Sequence, residues 1–208
     1  DETKFPNGLH GIIDICKRNG MKFGIWFEPE MISENSRLYR EHPDWCIHSP
    51  GRAPVESRNQ LVLDMARSEV VDCIYNQISA MLSKYDISYV KWDMNRNITD
   101  NGSASLPAEA QGEHTHRYIL GVYSLMKRLT ENYPGVLFEG CAGGGGSFDF
   151  GILYYMPQIW TSDDTDAIDR LKIQYGTSLV YPHASMTAHV SACPNPHTGQ
   201  ITTFTTPG

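Results

Sequence analysis

The chain has 208 residues and a net charge of −7, so it lacks the basic surface that a general binder of nucleic acid or anionic membrane needs. Its 40% hydrophobic and 20% charged residues suit a globular fold with a sizeable core, and no apolar run approaches the ~20 residues that span a bilayer. Five scattered cysteines (Cys16, Cys46, Cys73, Cys141 and Cys193) form no CxxC pair, which argues against a zinc ribbon or disulfide framework and reads as a reducing, cytoplasmic setting. The N-terminus carries no basic and apolar signal pattern. The absence of an initiator methionine and the bare ending "TTFTTPG" suggest a piece of a longer protein.

In chain order, Leu9, Ile12, Ile13 and Cys16 recur at helical spacing and stop at Asn19-Gly20. "MKFGIWFEPEM" then reads as a strand and "LVLDMA" (61–66) as a short extended run. Val70, Ile74, Ile78, Met81 and Leu82 form a helical stripe, followed by the strand "ISYVKWDMN" and a polar loop over roughly 98–112. A second stripe, Ile119, Val122, Tyr123, Met126 and Leu129, ends at Tyr133-Pro134-Gly135. The strand "VLFEGC", a glycine-rich turn and the strand "PQIWTSDD" come next. A weaker helix around 167–175 then precedes the runs "SLVYP" and "MTAHVS".

Strands alternating with helices at this interval predict an α/β fold with a parallel sheet. An open doubly wound sheet is the plain alternative, but "CAGGGGS" has neither GxGxxG spacing nor a GK[ST] ending. Polar residues also gather at the ends of successive strands: Glu28 and Glu30, Asp93 and Asn95, Glu139 and Cys141, Asp163 and Asp164. That pattern favours a (β/α)8 TIM barrel, whose enzymes build their sites at one rim. The units fall short of eight, so residues 1–208 read as most of a single catalytic barrel, incomplete in this chain.

Within "VKWDMNR", Lys91, Asp93 and Asn95 alternate with apolar residues and therefore share one face of a strand. A surface carboxylate or a simple ion pair with Lys91 accounts for Asp93 about as well as catalysis does when Asp93 is taken alone. The K-x-D-x-N alternation favours an ionised nucleophile among groups that bind a polyhydroxylated ligand. In "WTSDDTD", Asp164 or Thr165 suits a helix N-cap. Repulsion between Asp163 and Asp164 is expected to raise the pKa of one of them, as a general acid requires. One low and one raised carboxylate on different strands is the arrangement of a glycosidase. Glu28 and Glu30 are a weaker, rival pair that equally suits loop anchoring. Trp26 and Trp160 are core residues or sugar-stacking platforms, and Arg58 is a surface residue or a ligand contact. The run Gly143–Gly146 permits close backbone approach to a ligand. His183, His189 and His197 follow the last predicted strands without metal-ligand spacing, so neither a metal nor a cofactor is expected.

In this order, "GIWFEPEM", "KWDMNR", "CAGGGGSFDFG" and "QIWTSDDTDA" resemble the catalytic domain of glycoside hydrolase family 36 α-galactosidases, and the resemblance runs from "FPNGL" to "AHVSACPN". It implies retaining hydrolysis of terminal α-linked galactose, of the melibiose or raffinose type, in a (β/α)8 barrel. By motif, Asp93 would be the nucleophile and Asp163 the general acid/base. Trp26, Arg58, Lys91, Asn95, Cys141, Gly143, Trp160 and Asp164 would line the galactose pocket. The partner implied is an α-galactoside, with a homo-oligomeric full-length protein.

Two departures stand out. Ser147 occupies a position where the family usually has arginine. The family's preceding β-sandwich, its first barrel strands with a "DDGW"-type motif and its C-terminal β-domain have no counterpart here, so the isolated chain is expected to have little or no activity. The competing readings are an α-galactosyl transferase of the raffinose-synthase type, an α-N-acetylgalactosaminidase, a non-catalytic sugar-binding module, and an unrelated barrel using Glu28 and Glu30.

Overall fold

The computed structural model describes residues 3–144 and 146–191, so Gly145, Cys193 and His197 lie outside the described residues. Two compact units form. One comprises residues up to 90 together with 96–137; the other comprises 91–95 and the residues from 138 onward.

In the first unit, helix α1 (His10–Arg18) ends where Gly20, at φ +69°, lets the amide of Met21 reach back to the carbonyl of Cys16 at 2.9 Å. Of its predicted stripe only Ile13 is buried, while Ile12 lies open. The expected strand "MKFGIWFEPEM" breaks in two. Strand β1 (Gly24–Phe27) stops before Pro29, which has no N–H for a ladder, and the chain turns into β2 (Met31–Ile32). A short unanticipated helix, α2 (Arg37–Glu41), is capped by the Ser36 hydroxyl. The run "LVLDMA" yields only β3 (Leu61–Val62), which pairs antiparallel with β2 in register Met31↔Val62 and Ile32↔Leu61.

Helix α3 (Ser68–Lys84) buries Val70, Ile74, Ile78 and Leu82, as its periodicity predicts. It leads to β4 (Tyr89–Trp92), whose first half lies beside β1. A Cβ on Gly24 would sit 2.6 Å from the Tyr89 ring, so this approach requires glycine. Helix α4 (His114–Asn132) packs against α3 through Tyr118, Val122, Leu125, Met126 and Leu129. The buried face is rotated slightly from the predicted stripe, because Ile119 is exposed and Tyr118 replaces it. Each such side chain contributes about 1.5–3 kcal/mol of burial.

The polar loop ahead of α4 is held by a buried network. The Asp64 carboxylate bonds His114 Nε2 at 2.9 Å through one oxygen and accepts from the Ser103 hydroxyl through the other. All three side chains are fully buried. Gln111 closes the loop, donating to the carbonyls of Ser103 (2.8 Å) and Leu106 (2.7 Å). Nearby, the Ser49 hydroxyl and amide donate to Asp100 and hold its carboxyl below the usual range.

The second unit is a set of parallel strands. After β4, strand β5 (Leu137–Gly140) runs into Cys141, whose amide donates to Trp92 O (2.6 Å) while its carbonyl accepts from Met94 N (3.1 Å). Bonding on both sides of one partner residue is the parallel pattern. Helix α5 (Phe150–Leu153) is capped by Asp149. Strand β6 (Gln158–Ile159) pairs parallel with β5 in register Glu139↔Gln158 and Gly140↔Ile159, and Met186 adds a parallel bridge beyond it. Helix α6 (Ala167–Ser178) follows. The runs "SLVYP" and "MTAHVS" form no strands: Ser178 closes α6, a turn and a 3₁₀ turn at His183–Ser185 follow, and only Met186 reaches the ladder. Among the described residues no helix is long and apolar enough to cross a membrane.

Replacing His114 with leucine removes one hydrogen-bond partner of the buried Asp64, and leaving a buried polar group short of a partner costs about 1–3 kcal/mol. The urea midpoint of the His114→Leu chain should fall accordingly. An Asp64→Asn, His114→Leu double variant should lose less than the sum of the two single changes.

Candidate active site

The end of β4 delivers Lys91, Asp93 and Asn95 into the second unit, with the apolar Trp92 and Met94 buried between them. Asp93 is buried and accepts three N–H bonds. Its Oδ1 accepts from the amides of Met94 (2.9 Å) and Gly143 (3.4 Å), and its Oδ2 accepts from Asn95 Nδ2 (2.7 Å). These three N–H donors suit a carboxylate acceptor and fix its rotamer. The Cys141 thiol faces the same carboxylate. Burial above all, opposed by the Gly144 amide and helped by the Asp93 charge, pushes it up to about 12, so it remains a neutral thiol.

The glycine run is a turn that touches both candidate carboxylate segments. Gly143 and Gly144 take φ of +56° and +83°, the left-handed region natural to glycine. Gly143 donates to Asp93, while a Cβ on Gly144 would stand 2.7 Å from the Asp163 amide nitrogen. Only a residue without a side chain permits that approach.

Asp163 is exposed, and its Oδ1 accepts from Trp160 Nε1 at 2.8 Å. Trp160 is in turn placed by β6, its amide bonding Gly140 O at 2.8 Å. The Lys91 ammonium lies over the Trp160 ring, 3.7 Å from its centroid. One indole thus contacts a residue of β4 and the carboxylate at the end of β6. The His189 ring is also 5.5 Å from that indole, tilted by 44°. Lys91 therefore occupies part of the Trp160 ring that the sequence offered as a sugar platform.

Asp164 turns toward its own backbone, its Oδ1 accepting from the Asp166 amide at 3.0 Å. The N-cap of α6 is Asp166, which accepts from the amides of Ile168 and Asp169, and not Asp164 or Thr165 as expected. Sequence reasoning missed Arg170. Its buried guanidinium donates to the carbonyls of Ser162 (3.1 Å), Asp164 (3.2 Å) and Thr187 (2.7 Å), and to Thr161 Oγ1 (3.0 Å). It clamps the loop that presents Asp163. The one available signal was its place four residues after the cap Asp166, on the inward side of a helix whose apolar Ile168, Leu171 and Tyr175 face out.

Ser147 precedes Phe148, whose ring stacks on Tyr181 with centroids 4.0 Å apart. Trp26 and Arg58 belong to the first unit. Trp26 is half-exposed at 50%, on β1. Arg58 is exposed at the tip of a turn closed by mutual Ser57–Gln60 backbone bonds of 3.0 Å. Of the rival carboxylates, Glu28 accepts from Gln60 Nε2 (3.0 Å), and Glu30 is buried and accepts from the Tyr118 hydroxyl (2.6 Å). Both contacts are those of loop and core anchors.

Comparison with known proteins gives one consistent family. The melibiase family model matches residues 1–208. The chain is 58% identical over 207 residues to α-galactosidase Mel36A of Lactobacillus acidophilus, covering 100% of this chain and 28% of that protein. It is 57% identical over 208 residues to α-galactosidase AgaA of Geobacillus stearothermophilus, again covering 100% of this chain and 28% of that protein. A crystal structure of an AgaA variant in complex with raffinose superimposes with a TM-score of 0.93 at 57% identity, covering 97% of this chain and 28% of that one. The chain thus spans little more than a quarter of the length of these relatives, and it belongs to the melibiase family.

Proposed function

We propose that the protein carrying this chain is a retaining α-galactosidase acting on terminal α-linked galactose of the melibiose or raffinose type. The observation that carries the reading is the single glycine turn that bonds the buried Asp93 and abuts Asp163. Raffinose in the AgaA complex and the α-galactosidase names of relatives at 57–58% identity support the substrate class.

In this mechanism Asp93, ionised and held by three N–H donors, attacks the anomeric carbon to form a β-galactosyl ester as the glycosidic bond breaks. Asp163 gives its proton to the leaving oxygen, then as a carboxylate takes a proton from water, which attacks the same carbon and releases α-galactose. Its exposure and single indole contact leave Oδ2 for that exchange. A separation of roughly 5–5.5 Å between the two carboxyls suits this route. Lys91, Asn95 and the neutral Cys141 thiol are donors for ring hydroxyls, with Gly143, Trp160 and Asp164 beside them in the second unit; Trp26 and Arg58 are proposed as galactose contacts from their motifs alone. The parallel strands suit part of a (β/α)8 barrel inside a longer polypeptide with flanking β-domains, of which residues 1–208 are most of the barrel. Four free cysteines among the described residues, two of them buried, fit a reducing, cytoplasmic setting.

Azide rescue of glycine variants in the full-length protein tests both roles. Asp93→Gly should lose at least about 10⁴-fold in kcat and, with azide and an aryl α-galactoside, yield the β-galactosyl azide by one inversion. Asp163→Gly should lose about 10²–10⁴-fold and yield the α-galactosyl azide from the covalent intermediate. NMR of the products decides; azides of the opposite configuration, or full activity in either variant, refute the assignment.

The Cys141 thiol should resist iodoacetamide at pH 8 in the native chain, because a group titrating at about 12 holds roughly one thiolate in ten thousand there. Peptide mapping after timed alkylation measures this, with unfolded chain as the reactive control.

A further inference from the structure

Arg96 ends the "KWDMNR" motif three residues after Asp93, yet the mechanism leaves it without a task. In the first unit its guanidinium donates to two backbone carbonyls, Val55 O at 2.7 Å and Gln60 O at 2.8 Å. These carbonyls flank the turn Ser57–Gln60. The two residues at its tip, Arg58 and Asn59, have φ of +57° and +58°, and neither is glycine. A two-residue turn of this mirror-image type normally takes Asn-Gly or Gly-Gly, so an arginine there is held against its preference. Local bonds alone supply Ser57 N to Gln60 O and its reciprocal, both 3.0 Å. Further ties come from Gln60 Nε2 to Glu28 and from Arg96 Nη1 to the two carbonyls.

We propose that Arg96 is a positioning residue for substrate binding: it fixes the left-handed Arg58 turn so that the Arg58 side chain is presented in one geometry. Arg96 itself touches no substrate. One nitrogen, Nη1, donates to both carbonyls at once, tying the segment before the turn to its last residue, and the charge on the donor strengthens both bonds. The inference rests on the reading of Arg58 as a galactose contact given above.

The test is steady-state kinetics of the full-length protein on 4-nitrophenyl α-galactoside, with Arg58→Ala, Arg96→Gln, Arg96→Lys and the Arg58→Ala, Arg96→Gln pair. Arg58→Ala should raise KM about tenfold or more, as loss of one charge-assisted hydrogen bond does, with kcat within about threefold. Arg96→Gln should raise KM by a similar factor, Arg96→Lys should recover part of it, and the paired change should be no worse than Arg58→Ala alone. A purely structural role would instead change soluble yield and melting temperature without this KM pattern. If Arg58→Ala leaves KM unchanged, the reading of Arg58 fails and the inference with it. If Arg58→Ala raises KM while both Arg96 variants bind normally, or if the two effects multiply, the positioning role of Arg96 is overturned alone. Arg96→Lys keeps the charge and length, so it carries the test should Arg96→Gln not fold.

Discussion

One peptide turn touches the segments of both proposed catalytic carboxylates, and the rest of the site is arranged around that constraint. The Gly143 amide reaches Asp93, and the Gly144 Cα stands so near the backbone of Asp163 that a Cβ would collide at 2.7 Å. Both glycines are in the left-handed region, where a side chain adds its own steric cost. The turn, which follows β5, thus serves as a spacer of fixed thickness between the segments that follow β4 and β6. Any residue larger than glycine at 144 must push the loop carrying Asp163 away.

The two carboxylates are treated differently by their surroundings. Asp93 is buried, and burial of a carboxylate is costly unless donors replace water. Here two amides and one side-chain amide do so, from β4 itself and from the glycine turn. Asp163 is exposed and has one indole donor. A carboxylate held by protein donors and a water-accessible one suit the two roles proposed for a double displacement. The Lys91 ammonium adds to this asymmetry by lying over the Trp160 ring, so the indole that holds Asp163 is itself located by the strand that bears Asp93.

Much of this was legible in the residues alone where the signal is periodic or local. The stripes of α3 and α4 repeat over four or five turns, and tertiary packing rotated the α4 face by only one position. The alternation Lys91, Asp93, Asn95 is a strand property and placed those groups together. The shorter elements were less readable. Pro29 cut one predicted strand into two pairings, and β6 stops after Ile159 because the hydroxyls and carboxylates of Ser162, Asp164 and Asp166 bond their own backbone instead of a neighbouring strand. The cap of α6 fell on Asp166, a position that three nearby acidic residues make ambiguous from sequence. Arg170 gave only the faint signal of its place after the cap Asp166, and the left-handed Arg58-Asn59 turn gave none, since a buried arginine and a turn without glycine are both maintained by tertiary hydrogen bonds.

Arg170 and Arg96 show the same device in the two units. Each is a cation within a chain rich in carboxylates, yet each bonds main-chain carbonyls: Ser162, Asp164 and Thr187 through both terminal nitrogens of Arg170, Val55 and Gln60 through Nη1 of Arg96. A carbonyl is a fixed partial charge that cannot titrate, so the grip on each loop is the same at any pH the protein meets. A carboxylate partner would have bound more strongly, but it would have consumed an acidic group and tied loop geometry to its protonation. In the proposed mechanism Asp163 gains and loses a proton in every turnover, so the loop that carries it needs a restraint that does not change when that proton moves. Arginine bonded to backbone meets that requirement.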